Sequence, residues 1–211
     1  MTQQIKSKQR VADHGEVFTR PEEVNAMLDL VKDETQRINS AFLEPACGNG
    51  NFLIEILKRK MTVVEKEYRK SPREYEFYAV LAMSCIYGIE LLEDNVIACR
   101  KRLLNYWQAE ICRVQEHIDE KRLAELVEIA QFLLELNILH GNALTMKYAN
   151  NDEFLHFSQW SHSPFRGRNH CLKRHDFKYQ YLIENSDQPY QSLKEYTSCY
   201  FLDIKNAKPI N

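Results

Sequence analysis

The stretch from 42 to 52 constrains the fold more than any other part of the sequence. It reads Phe-Leu-Glu-Pro-Ala-Cys-Gly-Asn-Gly-Asn-Phe, which predicts a short strand ending in an acid, a turn with two glycines and the first residues of a helix. Glycine adopts positive φ without steric cost and lets the backbone approach a ligand closely. In α/β folds, ligands bind at such strand-to-helix turns on the carboxyl edge of the sheet. The stretch therefore predicts an α/β sheet with a ligand site at Glu44 and the turn.

The same turn argues against two common ligand classes. No Gly-Lys-Ser or Gly-Lys-Thr follows the glycines, so the turn is not a P-loop. Leu53 stands where a dinucleotide fingerprint has a third glycine or an alanine, which disfavours NAD. A glycine turn that carries Glu44 suits a nucleoside ligand whose charge is not on a phosphate. S-adenosylmethionine, a sulfonium with an amino-acid tail, is a ligand of that kind.

Two further hydrophobic stretches, 86–90 and 138–142, also end in polar residues, Glu90 and Asn142. Three such strands alternating with helices predict a mostly parallel sheet with right-handed crossovers and flanking helices. The carboxyl ends of parallel strands share one edge, so Glu44, Glu90 and Asn142 are expected to converge on one crevice. A carboxylate at Glu90 can accept both hydroxyl protons of a ribose diol. The amide of Asn142 suits an adenine edge.

Helical patterns surround these strands. We expect a helix capped by Thr19, with Pro21 in its first turn and Glu22 completing a capping box. Further helices are predicted at 51–60, 75–85, 93–107 and 121–136. The charge-dense stretch 58–76 is predicted to be a solvated excursion broken at Ser71-Pro72. These elements predict a domain over 1–150 with an N-terminal helical cap, followed by an irregular basic and aromatic extension over 151–211.

Composition limits the remaining possibilities. The formal charge of −2 gives no global nucleic-acid signature, so such contacts would come from a local patch. The six cysteines include no CxxC pair, and the histidines show no metal spacing, so we expect reduced thiols and no metal site. The polar N-terminal stretch is not a secretory signal, and no apolar run reaches membrane-spanning length. These features predict a cytoplasmic protein without a membrane partner.

Four segments together resemble the adenine-specific DNA methyltransferases of restriction–modification systems. They are GEVFTRP at 15–21, LEPACGNGNF at 43–52, GIE at 88–90 and LHGNAL at 139–144. The resemblance covers 12–144, and the glycine segment is its most specific part. It implies a Rossmann-like fold that binds S-adenosylmethionine and acts on DNA.

The resemblance also assigns roles to residues. Phe18 and Thr19 would hold the methionine part of the cofactor, Glu44 and the turn its amino-acid end, and Glu90 its ribose. Asn142 stands where the family usually has an aspartate on the adenine, and it retains an acceptor oxygen. The complete set of predicted cofactor residues is Phe18, Thr19, Glu44, Ala46, Cys47, Gly48, Gly50, Phe52, Glu90 and Asn142.

One motif of that family is absent. Its members carry Asp/Asn/Ser-Pro-Pro followed by an aromatic residue, which binds the target amine and stacks on the flipped base. The nearest string here is Asp-Gln-Pro-Tyr at 187–190. In one reading Asp187 accepts a hydrogen bond from the amine and Tyr190 stacks on the base. In the other, the string is an ordinary Asp-containing turn.

A basic, aromatic segment lies at 165–179. Its cations Arg166, Arg168, Lys173, Arg174 and Lys178 are interleaved with aromatic rings. Cations that neutralise phosphates beside rings that stack on bases are typical of a nucleic-acid groove. A solvated loop, or a surface facing an acidic partner subunit, fits the same pattern. The segment also resembles the tail of short methylase-like proteins that lack the Pro-Pro motif.

Three functions are compatible with these observations. The first is an S-adenosylmethionine-dependent DNA methyltransferase acting on adenine N6, with target recognition supplied by a separate subunit in a homo- or hetero-oligomer. The second is a catalytically degenerate methylase-like subunit that keeps the cofactor site and serves in binding or assembly. The third is a methyltransferase with an RNA or protein substrate, which only the shared cofactor fold supports.

Overall fold

Three short parallel strands form the centre of the molecule. The computed structural model describes residues 6–164, 166–167, 169–180 and 192–210. The strands are β1 (Phe42–Glu44), β2 (Ile86–Glu90) and β3 (Ile138–Asn142), hydrogen-bonded in the order β1-β2-β3. The two-residue strand β4 (Lys147–Tyr148) adds to β3 in the antiparallel direction. The predicted strands and their parallel pairing are thereby confirmed.

Helices connect the strands. They are α1 (Lys8–His14), α2 (Pro21–Asp29), α3 (Lys32–Thr35), α4 (Asn51–Tyr68), α5 (Pro72–Ser84), α6 (Glu93–Val114) and α7 (Glu120–Asn137). α4 packs on β1 and β2, and α6 packs on β2 and β3. Within the described ranges, every helix is too short or too polar to span a bilayer.

The sheet separates two hydrophobic cores. Ile86 and Ile138 lie on the face covered by α4 to α7 and belong to the larger core, which includes the buried Trp107. Tyr87 and Ile89 point to the opposite face and belong to a smaller core. Alternation of side chains along each strand assigns successive residues to opposite faces. All five residues of β2 are buried, as expected for a parallel strand that is covered on both faces.

The charge-dense stretch is helical, so the prediction of a solvated excursion at 58–76 is wrong. α4 continues to Tyr68, and α5 begins at Pro72, within the predicted Ser71-Pro72 break. The charges on the inner faces of these helices are compensated. Lys60 is fully buried and donates to the carbonyl oxygens of residues 37, 38 and 40 at 2.7–3.0 Å. Glu76 is buried in an ion pair with Arg122 at 2.6 Å.

The start of α2 also differs by one residue from the prediction. Arg20, not Thr19, occupies the N-cap position, and Pro21 begins the helix as expected. Glu23, not Glu22, closes the cap, because its carboxylate accepts from the Arg20 N–H at 3.2 Å. The Thr19 carbonyl instead accepts a hydrogen bond from the Asn51 side chain at 2.9 Å. This contact holds the segment before α2 against the glycine turn.

The segment after 150 is not irregular as predicted. It forms an antiparallel sheet of β5 (His156–His162), β6 (Cys171–Lys178), β7 (Lys194–Glu195) and β8 (Cys199–Tyr200), followed by a 3-10 helix (Ile204–Asn206). β5 packs on α5 and α7. Trp160, Leu172 and Phe201 are buried in the larger core. The C-terminal sheet therefore shares its core with the helices of the first 150 residues.

Candidate functional site

The glycine turn between β1 and α4 depends on two positive φ angles. Gly48 has φ 53° and Gly50 has φ 86°. A methyl group on Gly48 would lie 3.2 Å from the Phe18 ring, and one on Gly50 would lie 2.7 Å from the Cys99 sulfur. Gly50 donates its N–H to the Cys47 carbonyl at 2.8 Å and precedes the first residue of α4. Both glycines are thus required by backbone conformation and by close neighbours.

Glu90 joins the turn to the end of β2. Its side chain is buried, and one carboxylate oxygen accepts from the Gly48 N–H at 2.8 Å. The other oxygen accepts from the Leu92 N–H at 2.8 Å. A carboxylate oxygen has two lone pairs, so each oxygen can accept a further hydrogen bond from a ligand hydroxyl.

A cavity of about 430 Å³ opens beside the turn at the carboxyl edge of the sheet. This volume lies within the usual range for small-molecule sites. The lining comes from the segment before α2, the ends of all three parallel strands and the start of α6. The lining residues are Gly15, Glu16, Val17, Phe18, Thr19, Glu44, Pro45, Ala46, Cys47, Gly48, Asn51, Phe52, Glu90, Leu91, Leu92, Asn95, Gly141, Asn142, Ala143 and Leu144.

The structure brings the predicted cofactor residues together around this cavity, with one exception. Gly50 is not part of the lining. It is buried against Cys99 of α6, where it allows the turn and that helix to approach closely. The convergence of Glu44, Glu90 and Asn142 at one edge follows from the parallel register of their strands.

Asn142 lines the cavity with its amide oxygen already engaged. That oxygen accepts from the backbone N–H groups of Leu144 at 2.8 Å and Thr145 at 3.2 Å. This Asx turn ends β3 and directs the chain past the cavity. The amide nitrogen, a donor, is then the group of Asn142 that suits a ring nitrogen. The contact of Asn142 with an adenine stays a prediction.

Three polar lining residues, Glu16, Asn51 and Asn95, were not predicted as site residues. Arg10 donates to both carboxylate oxygens of Glu16, at 2.6 and 2.8 Å, and this contact lowers the pKa of Glu16. Asn95 donates to the same carboxylate at 2.6 Å. Arg10 also contacts Asp94, so α1 is tied to the start of α6. Glu16 lies in the first of the four segments that resemble the family. No spacing in that segment indicates which residues pair with its carboxylate.

The charge of the lining has one sign. Its carboxylates are Glu16, Glu44 and Glu90, and no Lys, Arg or His is among the lining residues of the described ranges. Partial burial raises the pKa of Glu44, which also accepts a hydrogen bond from the Ala46 N–H. Such a cavity favours a cationic ligand and disfavours a phosphate.

The predicted basic residues do not form one exposed stripe. Arg174 is mostly buried and forms a two-point ion pair with Asp176, at 2.7 and 3.0 Å. Lys173 pairs with Glu195 at 3.0 Å. Alternation along β6 places Lys173 and Arg174 on opposite faces. The guanidinium of Arg174 is thus already paired with an internal partner, and its contact with nucleic acid stays a prediction.

The other predicted residues have different outcomes. The Lys178 ammonium group lies 5.9 Å from the Phe154 ring centre. Arg166 lies in a turn with φ 49°. Arg168, Asp187 and Tyr190 lie outside the described residues. The proposed amine-binding role of Asp187 and Tyr190 therefore stays a prediction.

Three parallel strands, a glycine turn and an acidic cavity at the carboxyl edge of the sheet define an α/β domain of the kind that binds ligands at the carboxyl ends of its strands. A family model described as MmeI, DNA-methyltransferase domain, matches residues 18–208, and the chain belongs to that family. It is therefore a methyltransferase domain of the restriction–modification type. No curated protein and no solved structure matches the chain.

Proposed function

We propose that this chain binds S-adenosylmethionine in the cavity at the glycine turn and methylates adenine N6 in DNA. The observation that carries the cofactor assignment is the acidic lining, which contains no basic residue from the described part of the chain. S-adenosylmethionine carries a sulfonium and an ammonium group, whereas a phosphate-bearing cofactor would meet three carboxylates and no cationic side chain among the lining residues of the described ranges. S-adenosylmethionine, when bound, supplies an electrophilic methyl carbon.

Each part of the cofactor has a chemically matched residue. Glu90 can accept hydrogen bonds from the ribose hydroxyls while it keeps its bonds to Gly48 and Leu92. Glu44 can pair with the ammonium group, which would lower its raised pKa. Phe18 and Thr19 lie on the wall formed by the segment before α2, where they suit the methionine chain. Asn142 can donate its amide N–H to an adenine ring nitrogen.

The family supports methyl transfer to DNA, and the adenine N6 assignment rests on the resemblance of the four sequence segments. In methyl transfer to an amine, most of the acceleration comes from positioning the nitrogen and stabilising the charge that develops on it. DNA is the expected substrate. The chain is expected to form an oligomer in which a separate specificity subunit recognises the target sequence. Cytoplasmic localisation is part of the same proposal.

Calorimetry with S-adenosylmethionine tests the cofactor site. Glu90→Gln replaces one acceptor oxygen by an amide donor that faces backbone N–H groups, so we expect at least a tenfold loss of affinity. The matched control is Glu93→Gln, which changes an exposed acid at the first residue of α6. This variant should bind S-adenosylmethionine like the wild type. Equal binding by wild type and Glu90→Gln, or no binding by either, would refute the site.

Transfer of a labelled methyl group to DNA tests the reaction. Duplexes containing adenine should be labelled at N6, and duplexes in which N6-methyladenine replaces every adenine should not. The assay is run with the chain alone and with its candidate specificity subunits. Intact cofactor binding without transfer in every combination would contradict the enzymatic part of the proposal.

A further inference from the structure

A second cavity, of about 390 Å³, lies between the parallel sheet and the C-terminal sheet. Residues of α6, α7, β3, β4, β5 and β6 contribute to its lining. It shares no lining residue with the cofactor cavity, although His140 of the second cavity directly precedes Gly141 of the first. The basic residues of its lining are Arg100, Arg174, His140 and His156. The two cavities therefore differ in charge, because the described lining of the cofactor cavity is acidic.

Arg100 brings to this cavity a partly buried positive charge that no carboxylate of the described residues pairs with. Its Nε donates to the Ile138 carbonyl at 3.1 Å, and its Nη2 donates to the carbonyls of Ile138 and Glu135 at 2.6 and 3.2 Å. These acceptors are neutral, and in the described part of the chain Nη1 has no acceptor. Burial lowers the pKa of Arg100, and the carboxylate of Glu135 attracts it only from a longer distance. A partly buried cation without a counter-ion is costly, so an anionic ligand would stabilise it.

Arg174 supplies a second guanidinium group with an unused donor. It pairs with Asp176 through Nε and Nη2, at 2.7 and 3.0 Å, which leaves Nη1 without an acceptor within the described ranges. The Asp176 carboxylate also accepts from the hydroxyls of Ser158 and Tyr196, at 2.8 and 3.0 Å. The charge of Asp176 is thus compensated inside the protein, whereas the charge of Arg100 is not.

Neutral groups of the lining indicate what kind of anion fits. The Tyr148 hydroxyl accepts from the His156 backbone N–H at 3.4 Å and keeps its own proton to donate. The His156 ring offers a further N–H. Donors from several elements suit a phosphate, whose terminal oxygens accept from different directions, better than a planar carboxylate. Leu136 and Leu139 supply apolar surface for an organic group attached to the phosphate.

We propose that the second cavity binds a small phosphate monoester, with Arg100 and Arg174 as the cationic contacts of its phosphate. The cavity volume lies in the usual range for small-molecule sites, so it accommodates an organic group beside the phosphate. Nucleic acids carry phosphates of related chemistry. The position between two sheets favours a small molecule, because the phosphates of a duplex lie on a broad convex surface.

Phenyl phosphate is a suitable probe, because it carries a phosphate monoester and no nucleoside that could enter the cofactor cavity. Calorimetry with the chain 1–211 is run at about pH 7.5, where the monoester carries close to two negative charges. We expect saturable binding of phenyl phosphate and no binding of phenol at the same concentrations. In NMR spectra, the signals of Tyr148 and His156 should shift on binding, and those of Gly48 and Glu90 should not.

Three variants test the assigned charges. Arg100→Gln removes the unpaired cation, and we expect at least a tenfold loss of affinity. Lys101→Gln, which changes the exposed neighbouring cation on α6, is the matched control and should bind like the wild type. Glu135→Gln removes an exposed acid from the lining and should strengthen binding at least about twofold. This third variant tests the charge of the site even if Arg100→Gln fails to fold.

Four outcomes overturn the proposal: no saturable binding, equal affinity of the wild type and folded Arg100→Gln, unchanged or weaker binding by Glu135→Gln, or shifts at Gly48 and Glu90 instead of Tyr148 and His156. Displacement of phenyl phosphate by duplex DNA at matched phosphate concentration overturns the assignment to a small molecule. None of these readouts uses S-adenosylmethionine, so failure of this site and failure of the cofactor site are distinguishable.

Discussion

The Gly48 backbone N–H donates to a carboxylate oxygen of Glu90 at 2.8 Å, across two neighbouring strand ends. Glu90, which is expected to bind a ribose, therefore also stabilises the conformation of the glycine turn. Its second oxygen is bound by the Leu92 N–H, which fixes the start of the connection to α6. Pre-organisation of this kind means that ligand binding does not have to order the turn.

Substitution of Gly48 should weaken both folding and ligand binding. Gly48→Ala places a methyl group 3.2 Å from the Phe18 ring at φ 53°, and we expect a loss of about 1–2 kcal/mol from the left-handed backbone alone. Gly167→Ala, at φ 74° with nothing near its added methyl, is the matched control. Urea denaturation measures both. Equal losses would show that the Phe18 contact contributes nothing.

Gly50 and Cys99 should be coupled. Gly50→Ala brings a methyl group to 2.7 Å from the Cys99 sulfur, and Cys99→Ala removes that sulfur. We expect the double variant to recover part of the stability that Gly50→Ala loses, with a coupling energy of about 1 kcal/mol or more. A double-mutant cycle from chemical denaturation measures it. Strict additivity would contradict the close approach of the turn and α6.

Glu44 should make the unliganded protein less stable as pH rises. Burial raises its pKa above the ordinary value of 4.5, so the folded state binds the proton more tightly than the unfolded state. Stability then falls as pH rises from 4.5 through the folded pKa, and remains lower above it. Glu44→Gln should lack this component and be more stable than the wild type at neutral pH. Denaturation of both proteins across pH 4 to 8 measures the difference, and parallel curves would refute the prediction.

Lys60 should be required for folding stability although it is far from the cavity. It is fully buried and its ammonium group donates to three backbone carbonyls at 2.7–3.0 Å. Burial lowers its pKa to about 8. Lys60→Met leaves those carbonyls without this donor, and we expect a loss of about 3 kcal/mol at pH 7. Lys66→Met, exposed on the same helix, is the control and should stay within about 0.5 kcal/mol of the wild type.

Arg174 should affect stability and leave nucleic-acid binding unchanged. It pairs with Asp176 and stacks on the Tyr196 ring at 4.4 Å. Arg174→Met leaves Asp176 without its cation and should cost about 3 kcal/mol in thermal or chemical denaturation. Affinity for duplex DNA, measured at a temperature where the variant is folded, should match that of the wild type. A loss of DNA affinity with unchanged stability would instead indicate that Arg174 contacts a phosphate.

Local sequence rules located most of the candidate site. Glu44, Glu90 and the glycine turn were predicted because strand ends in a parallel sheet meet at one edge. The engagement of the Asn142 oxygen could not be predicted, because an Asx turn looks the same in sequence as an amide that faces a ligand. Glu16 was missed because its partners Arg10 and Asn95 are brought to it by the tertiary fold.

The larger errors concern charges whose partners are distant in sequence. Lys60 and Glu76 are compensated by backbone carbonyls and by Arg122, so their burial has no local signal. The strand β6 lies in the segment that was predicted to be an irregular basic and aromatic extension. Its pairing with β5 in full register, and not its intrinsic pattern, defines it.

Arg10 forms ion pairs with both Glu16 and Asp94. These ion pairs hold in place the wall of the cavity that is formed by the segment before α2. Asp94 is about half exposed, so dissolved ions screen its part of this attachment. The conformation of this wall is therefore expected to depend on ionic strength even when the ligand carries no charge. A buffer of high salt concentration would loosen α1 before it disturbs the sheet beneath.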